Sequence, residues 1–221
     1  SSRVMRWDAT SERLDTASPL ALPVSGASSV VAFTAVGGGG FVAVSVLRDL
    51  ETSAVDSPSV IFKLGVPFNA THGDFADFGI RRAASSGGGL AVTSYQTLPT
   101  RAAHDVAHAV FGDRRFLAFA CLDTVPHSSQ IFAADATSAS PLFTLLQELP
   151  TDRATSVRFF THFGGSSSYL VVGQRSGTAL LLAYNSSLFV AAVDRGVAAA
   201  ASAGGGQVLP MSGTEALSRV G

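Results

Sequence analysis

Several things are scarce in this chain, and each scarcity removes a class of function. Of the 15 basic residues only Lys63 is a lysine, charged residues make up 14% of the 221, and the formal net charge is −1. A surface so nearly neutral, with no basic stripe, does not suit phosphate backbones, and no nucleic-acid partner is expected. Cys121 is the single cysteine, so no internal disulfide and no cysteine-based metal site can form. Within the apolar run Phe116–Leu122 it reads as a buried structural thiol. No run reaches the roughly 18 apolar residues of a bilayer-spanning helix. The richest stretch, Leu180 to Val193, is interrupted by Asn185, Ser186 and Ser187, so no membrane span is expected. The chain opens on Ser1-Ser2, without methionine or a signal-peptide pattern, which reads as a trimmed or mature fragment.

What is abundant is Val, Phe and Leu in short runs broken by Gly, Ser and Thr, a pattern of strands and tight turns. These runs repeat. A Leu-Pro pair stands at Leu22-Pro23, Leu98-Pro99, Leu149-Pro150 and Leu209-Pro210, with starts 76, 51 and 60 residues apart. Gln96, Gln147 and Gln207 precede the last three pairs at one offset, where the first has Leu20. Downstream of each Leu comes a position that is small in the first three copies (Ala27, Ala103, Ala154) and Thr214 in the fourth, and then an apolar residue (Val30, Val106, Val157, Leu217).

An aromatic then opens a strand-like run: Phe41-Val-Ala-Val-Ser45, Phe116-Leu-Ala-Phe-Ala120 and Tyr169-Leu-Val-Val-Gly173. A further run follows in each copy: Ser59-Val-Ile-Phe-Lys63, Ser129-Gln-Ile-Phe-Ala133 and Ala179-Leu-Leu-Leu-Ala-Tyr184. With a last strand leading back to the next Gln-x-Leu-Pro, every copy reads as four short antiparallel strands. Four strands repeated at this period make an all-β chain of β-propeller blades, about three blades and the start of a fourth, belonging to a larger propeller. The expected division is an N-terminal segment at 1–19, a first blade at 20–96 with an insertion near 69–89, and a second at 97–147. A third blade follows at 148–207, with an insertion near 194–206, and a fourth begins at 208–221.

The second copy carries a family likeness. Leu98-Pro-Thr-Arg-Ala-Ala-His-Asp-Val106, Phe116-Leu-Ala-Phe-Ala120, Asp123, Ser129-Gln-Ile-Phe132 and Phe143-Thr-Leu-Leu-Gln147 together resemble the epitempin-associated (EAR, or EPTP) repeat. Tyr184-Asn-Ser-Ser-Leu-Phe189 and Leu64-Gly-Val-Pro-Phe68 are similar to that repeat's tryptophan-asparagine-glycine hairpin. The resemblance spans about Leu20 to Gly221. It implies a propeller in a secreted or cell-surface protein that binds other proteins, membrane receptors among them. Three departures stand out: the chain holds only part of a propeller, it lacks the usual blade tryptophan, and it keeps the motif aspartate only at Asp105. Ser29 and Ser156 replace that aspartate in the flanking copies, which argues against an axial cation.

No catalytic or cofactor site emerges from the residues. His104-Asp-Val-Ala-His108 imitates a zinc-protease helix motif without its glutamate. On a strand the two histidines would share a face about 13 Å apart, too far for one ion. The runs Gly37–Gly40 and Gly87–Gly89 precede no helix, so they read as turns rather than phosphate cradles. The glutamates Glu12, Glu51, Glu148 and Glu215 fall at unrelated repeat positions, which leaves a glycosidase-like propeller enzyme without its carboxylate pair. The only two asparagines, Asn69 and Asn185, both lie in acceptor sequons, Asn69-Ala-Thr71 and Asn185-Ser-Ser187, at expected turns. They are the candidate glycosylation sites and point to a secretory route. The leading expectation is a non-enzymatic secreted or surface propeller for protein binding, adhesion or assembly. Its partners would be a receptor or assembly protein and further blades from the same or another chain. The competing reading is an intracellular propeller scaffold in a large complex.

Overall fold

The computed structural model describes residues 2–8, 12–48, 57–65, 91–122, 128–161, 167–175, 178–192 and 208–209. Among them every regular element is a strand. β1 (Ser2–Asp8) and β2 (Arg13–Leu22) pair as a two-stranded sheet. β3 (Ala27–Thr34), β4 (Gly40–Val46), β5 (Ser59–Gly65) and β6 (Ala91–Leu98) form a four-stranded antiparallel sheet, blade 1. β7 (Ala103–Phe111), β8 (Arg114–Cys121), β9 (Ser128–Asp135) and β10 (Thr144–Pro150) form blade 2 in the same order. Blade 3 consists of β11 (Ala154–Thr161), β12 (Ser168–Gln174) and β13 (Ala179–Tyr184), with β14 (Phe189–Ala191) and β15 (Val208–Leu209) both paired to β13.

The near-continuous apolar strands follow from burial on two faces. Along β8, Leu117, Phe119 and Cys121 join a core with Phe33, Phe41 and Ile61 of blade 1. Phe116, Ala118 and Ala120 join a second core with Val157, Leu170 and Leu182 of blade 3. The period-two alternation is intact, but both of its phases are apolar because each face meets another sheet. Aromatics fill the wider parts of these cores. Phe116 meets Tyr184 and Phe189 edge-on, with centroids 5.0 and 5.4 Å away. Contacts between neighbouring blades concentrate on their first strands, β3 with β7 and β7 with β11, so these strands are the innermost.

The repeated residues each have a structural role. Leu98 and Leu149 end the fourth strand of one sheet rather than opening the next, and they are buried. After Leu22 and Leu98 the proline sits in a tight turn, with the following amide bonded back to the Leu carbonyl at 2.8 Å. The residue before each inner strand has positive φ: Gly26 at 70°, Ala102 at 43° and Arg153 at 50°. Its carbonyl accepts from the end of the second strand in every copy, from Leu47, Leu122 and Arg175 at 2.9–3.0 Å. Only the first copy needs glycine outright, because a Cβ at Gly26 would fall 1.5 Å from the Arg48 carbonyl oxygen. Thr100 and Thr151, just past Leu-Pro, accept from the amides of Ser59 and Ser129 at 2.9 and 3.0 Å and also meet their hydroxyls.

The signature glutamine is an inter-blade clamp. Gln96 Nε2 donates to the Phe143 carbonyl at 2.7 Å, and its Oε1 accepts from the Phe143 amide at 3.0 Å. Gln147 does the same to Phe189 at 2.8 and 2.9 Å. A side-chain amide thus imitates one rung of a β ladder and ties the fourth strand of one blade to that of the next.

The segment expected as a lead-in, residues 1–19, contributes β1 and most of β2. Its register is that of third and fourth blade strands. Ser2 pairs with Leu22 as Ser59 pairs with Leu98 and Ser129 with Leu149. Trp7 pairs with Leu14 as Leu64 pairs with Val92 and Tyr184 with Phe189. β1 and β2 therefore hold the places of third and fourth strands of a copy ahead of blade 1, and Trp7 stands in register where blade 3 has Tyr184. Leu22 packs on Val42, Val44 and Phe62 of blade 1. The insertions expected near 69–89 and 194–206 lie outside the described residues, as does most of the fourth copy. Of the latter, Val208 and Leu209 complete the fourth strand of blade 3 against Leu180 and Ala179.

Gln147→Leu installs the residue that the first copy carries as Leu20. It leaves the Phe189 amide and carbonyl without their partners and is expected to cost about 2 kcal/mol. The check is a denaturant titration, with amide exchange confirming that the loss centres on the blade 2–blade 3 junction.

Candidate functional sites at the blade junctions

Each inner strand carries a one-residue bulge at the same place, at Ser28, His104 and Thr155. The bulge turns two successive side chains toward the neighbouring strands. Ser28 Oγ donates to the Ala103 carbonyl at 2.7 Å, and His104 Nδ1 lies 2.8 Å from the Thr155 carbonyl, which requires the proton on that nitrogen. Next to it, Asp105 is 6% exposed and joins three blades. Its Oδ1 accepts from Ser29 Oγ of blade 1 at 2.7 Å and from its neighbour Val106 N–H at 2.9 Å. Its Oδ2 accepts from Val157 N–H of blade 3 at 3.0 Å and from the Arg158 guanidinium at 2.5 Å. Two donors on each oxygen use the acceptor capacity of the carboxylate. Three of these four bonds run between blades and one, from Val106, lies within blade 2.

The bulge also separates the two histidines. His104 reaches blade 3, while His108 stacks on Phe33 of blade 1 at a centroid distance of 4.7 Å. The shared face expected for an unbroken strand is lost at the bulge. Among the described residues no three His, Cys, Asp or Glu side chains are grouped to hold a metal ion.

His108 belongs to a second junction. Arg115 is 5% exposed, lies over the Phe33 ring at 5.3 Å and donates through Nη1 to His108 Nε2 at 3.1 Å. Its Nε has no partner. Burial first, and the Arg115 charge second, lower the His108 pKa from 6.5 to about 4. The imidazole is neutral in the folded protein and accepts from the guanidinium, a role that protonation would abolish.

On blade 3, Thr155 Oγ1 and Ser156 Oγ are buried without hydrogen-bond partners. They occupy the places from which Ser28 with Ser29, and His104 with Asp105, reach the following blade. The same sheet carries Phe160, Tyr169, Val171 and Leu181 on the face opposite blade 2, as register with its core residues requires. Phe160 and Tyr169 stack there at 5.2 Å.

Asn185 sits in the exposed β13–β14 hairpin, where Ser186 has φ 74°. Its Oδ1 accepts from Ser187 N–H, Ser187 Oγ and Leu188 N–H at 3.1, 3.0 and 2.9 Å, so the whole sequon closes on one side-chain oxygen. Asn69 lies outside the described residues.

Stacked four-stranded sheets, inner bulges and lateral clamps define a repeat protein of the β-propeller class. Residues 93–132 match the family model of the EPTP domain, a stretch running from β6 into β9 that contains Asp105 and His108. The match falls on the copy whose residues resemble the EAR pattern. A search of curated proteins found no match.

Asp105→Ser, which gives blade 2 the residue of its neighbours, removes the acceptors of Val157 N–H and Arg158. The expected loss is about 2–4 kcal/mol, read from unfolding midpoints, with Asp105→Asn intermediate because one oxygen remains. For His108 the folded pKa lies below the unfolded one. Its contribution is complete above pH 6.5 and is lost as the pH falls through 4, by roughly 3 kcal/mol once both states are protonated. His108→Gln, which still offers Arg115 an acceptor, is expected to flatten that part of the stability–pH curve.

Proposed function

We propose that the chain is part of a non-enzymatic, secreted or cell-surface β-propeller that binds other proteins in adhesion or assembly. The EPTP repeat at 93–132 carries this reading, since such repeats belong to a protein-interaction propeller family. The use of the polar groups supports it: the Asp105 carboxylate is spent on Ser29, Val106, Val157 and Arg158. In this proposal the expected divisions 20–96, 97–147 and 148–207 stand as three successive blades with bounds shifted by a few residues, the sheets running from Ala27 to Leu98, Ala103 to Pro150 and Ala154 to Leu209, and a fourth copy follows within 208–221. The buried hydroxyls of Thr155 and Ser156, beside the apolar face of Phe160, Tyr169 and Leu181, favour a following blade from the same or another chain.

The secretory part of the proposal rests on Asn185, exposed at a hairpin with its Oδ1 held by Ser187 and Leu188. A turn that presents the acceptor to water suits a glycan too bulky to bury. Asn69 is the second proposed acceptor. Glycans at these positions would mark surface kept clear of partners.

The test is an intact-mass measurement on protein from its own cells, before and after glycosidase treatment. Two N-linked glycans are expected, one lost in Asn69→Gln and the other in Asn185→Gln. Unmodified asparagines in material recovered from the cytosol would overturn the secretory reading.

A further inference from the structure

The two blade junctions are filled differently at the end where the inner hairpins turn. Between blades 2 and 3 that place is apolar. Phe159 meets Phe111 edge-on and Phe189 at a tilt, both with centroids 5.7 Å away. Counted from the aromatics Phe116 and Tyr169 that open the second strands, His108 stands where blade 3 has Phe159, and Arg115 where it has Ser168. Two polar residues thus lie between blades 1 and 2 at a place that the other junction seals with rings. Stacking of the repeat does not require a cation there.

The fold provides poorly for Arg115, which is 5% exposed. Of its five N–H donors the described residues engage one, on His108, and the buried Nε has no acceptor. Phe33 offers a ring face at 5.3 Å, but among the described residues no carboxylate stands beside the guanidinium. Burial opposes the charge, and a guanidinium keeps its proton regardless. The surface around it is aliphatic. Val110 pairs with Arg115 across β7 and β8, so the two share a face, and it is 45% exposed. Leu142, 66% exposed, precedes Phe143, whose ring meets Phe33 edge-on at 5.7 Å. Val36, also exposed, lies on the blade 1 turn that approaches the same loop: a Cβ at Gly39 would fall 3.8 Å from the Ala139 carbonyl oxygen. Both blades that form this junction have their four strands in the described structure.

We propose that this end of the blade 1–blade 2 junction binds a side-chain carboxylate of a partner protein, an aspartate or glutamate flanked by apolar residues. The inference rests on the protein-binding reading and names the chemistry of one contact. The flanking residues cover Val36, Val110 and Leu142, and the carboxylate takes the Arg115 donors that have no acceptor. Charge decides the occupant. An apolar partner without a carboxylate would desolvate an unpaired guanidinium further, which opposes binding. A carboxylate in the same place forms charge-assisted bonds shielded from water, while neutral His108 holds the guanidinium from its other side.

The experiment is a nuclear magnetic resonance titration of the full 221-residue chain, labelled at arginine. The probe is a capped synthetic peptide with one glutamate between two leucines, and its twin carries glutamine instead. At up to about 5 mM the glutamate peptide is expected to move the Arg115 Nε–H signal and to bind about tenfold or more tighter than the twin. Arg115→Met abolishes that preference. It leaves the unfolding midpoint unchanged or raised, because it removes an unpaired buried charge and keeps the packing. Leu142→Ser, at an exposed position, weakens the glutamate peptide by about threefold or more. No movement of the signal, equal binding of the two peptides, or a preference that survives Arg115→Met overturns the proposal. So does a signal that moves as readily with sodium acetate, which marks a site for free anions. A signal that moves with protein concentration alone overturns it too, by making a second copy the source of the carboxylate. If the peptide fails while the native protein is secreted and glycosylated, the module reading stands and only this contact falls.

Discussion

A sheet that is apolar on both faces cannot end a fold; it has to lie between two others. In blade 2 the odd residues of β8 from Leu117 to Cys121 belong to one core and the even ones from Phe116 to Ala120 to the next, all at most 2% exposed. Each large side chain buried in this way is worth about 1.5–3 kcal/mol against exposure, and both faces contribute at once. Stability therefore resides in the contacts between blades as much as within them, the defining property of a quasi-one-dimensional repeat. Everything else in the structure adjusts how one blade meets the next.

Apolar contact is not directional and would tolerate a range of rotations between sheets. The polar groups remove that freedom at two radii. Near the axis the bulge side chains Ser28, Ser29, His104 and Asp105 bond to the following inner strand. At the rim Gln96 and Gln147 join successive fourth strands by paired backbone bonds. Each such bond nets only about 1 kcal/mol, so the set contributes less than the cores. Fixing both radii does set the angle and the spacing of neighbouring sheets, which a ring of blades needs to keep constant. The buried Arg115, held over Phe33 and by a neutral His108, shows what the arrangement permits: a guanidinium set between blades with no carboxylate beside it in the described structure.

Much of this was legible in the residues. The Leu-Pro pairs, the aromatic-led runs and the shared offsets locate the strands of blades 1 and 2. The EPTP match covers the copy that resembled the family best. What stayed hidden depends on through-space partners or altered spacing. Gln96 and Gln147 stood out as a signature, but their role requires knowing that Phe143, just ahead of β10, and Phe189, on β14, lie beside them on the next blade. His104 and His108 looked coplanar because a bulge leaves no mark in the strand pattern. The first half-blade was missed for a local reason: Leu20 stands where the later copies have the signature glutamine, and residues 16–19 interrupt its fourth-strand pattern, so the likeness of Trp7 to Tyr184 is visible only through pairing.

Within the fourth strand, irregularity recurs at one particular place. In blades 1 and 2 the fourth strand slips by one residue, at Tyr95 and Leu146. In the half-sheet the register jumps from Leu20 to Asp15 across the single residue Met5, so that residues 16–19 crowd the corresponding point. In blade 3 the strand stops at Ala191, opposite Leu182, and resumes at Val208, opposite Leu180, again at that point. A bulge already leaves residues out of the ladder, so lengthening it removes no further rung, and the closure entropy of added loop grows only slowly with length. The fourth strand is also the outermost, so the bulge itself lies at the rim rather than between blades. Within the fourth strand the irregularity stays at the one point where neither core nor clamp is disturbed, and the Leu that follows keeps its place. The fourth-strand bulge is thus one point at which this repeat can take up extra residues, and the rim is where the fold can acquire new binding surface without altering how its blades stack.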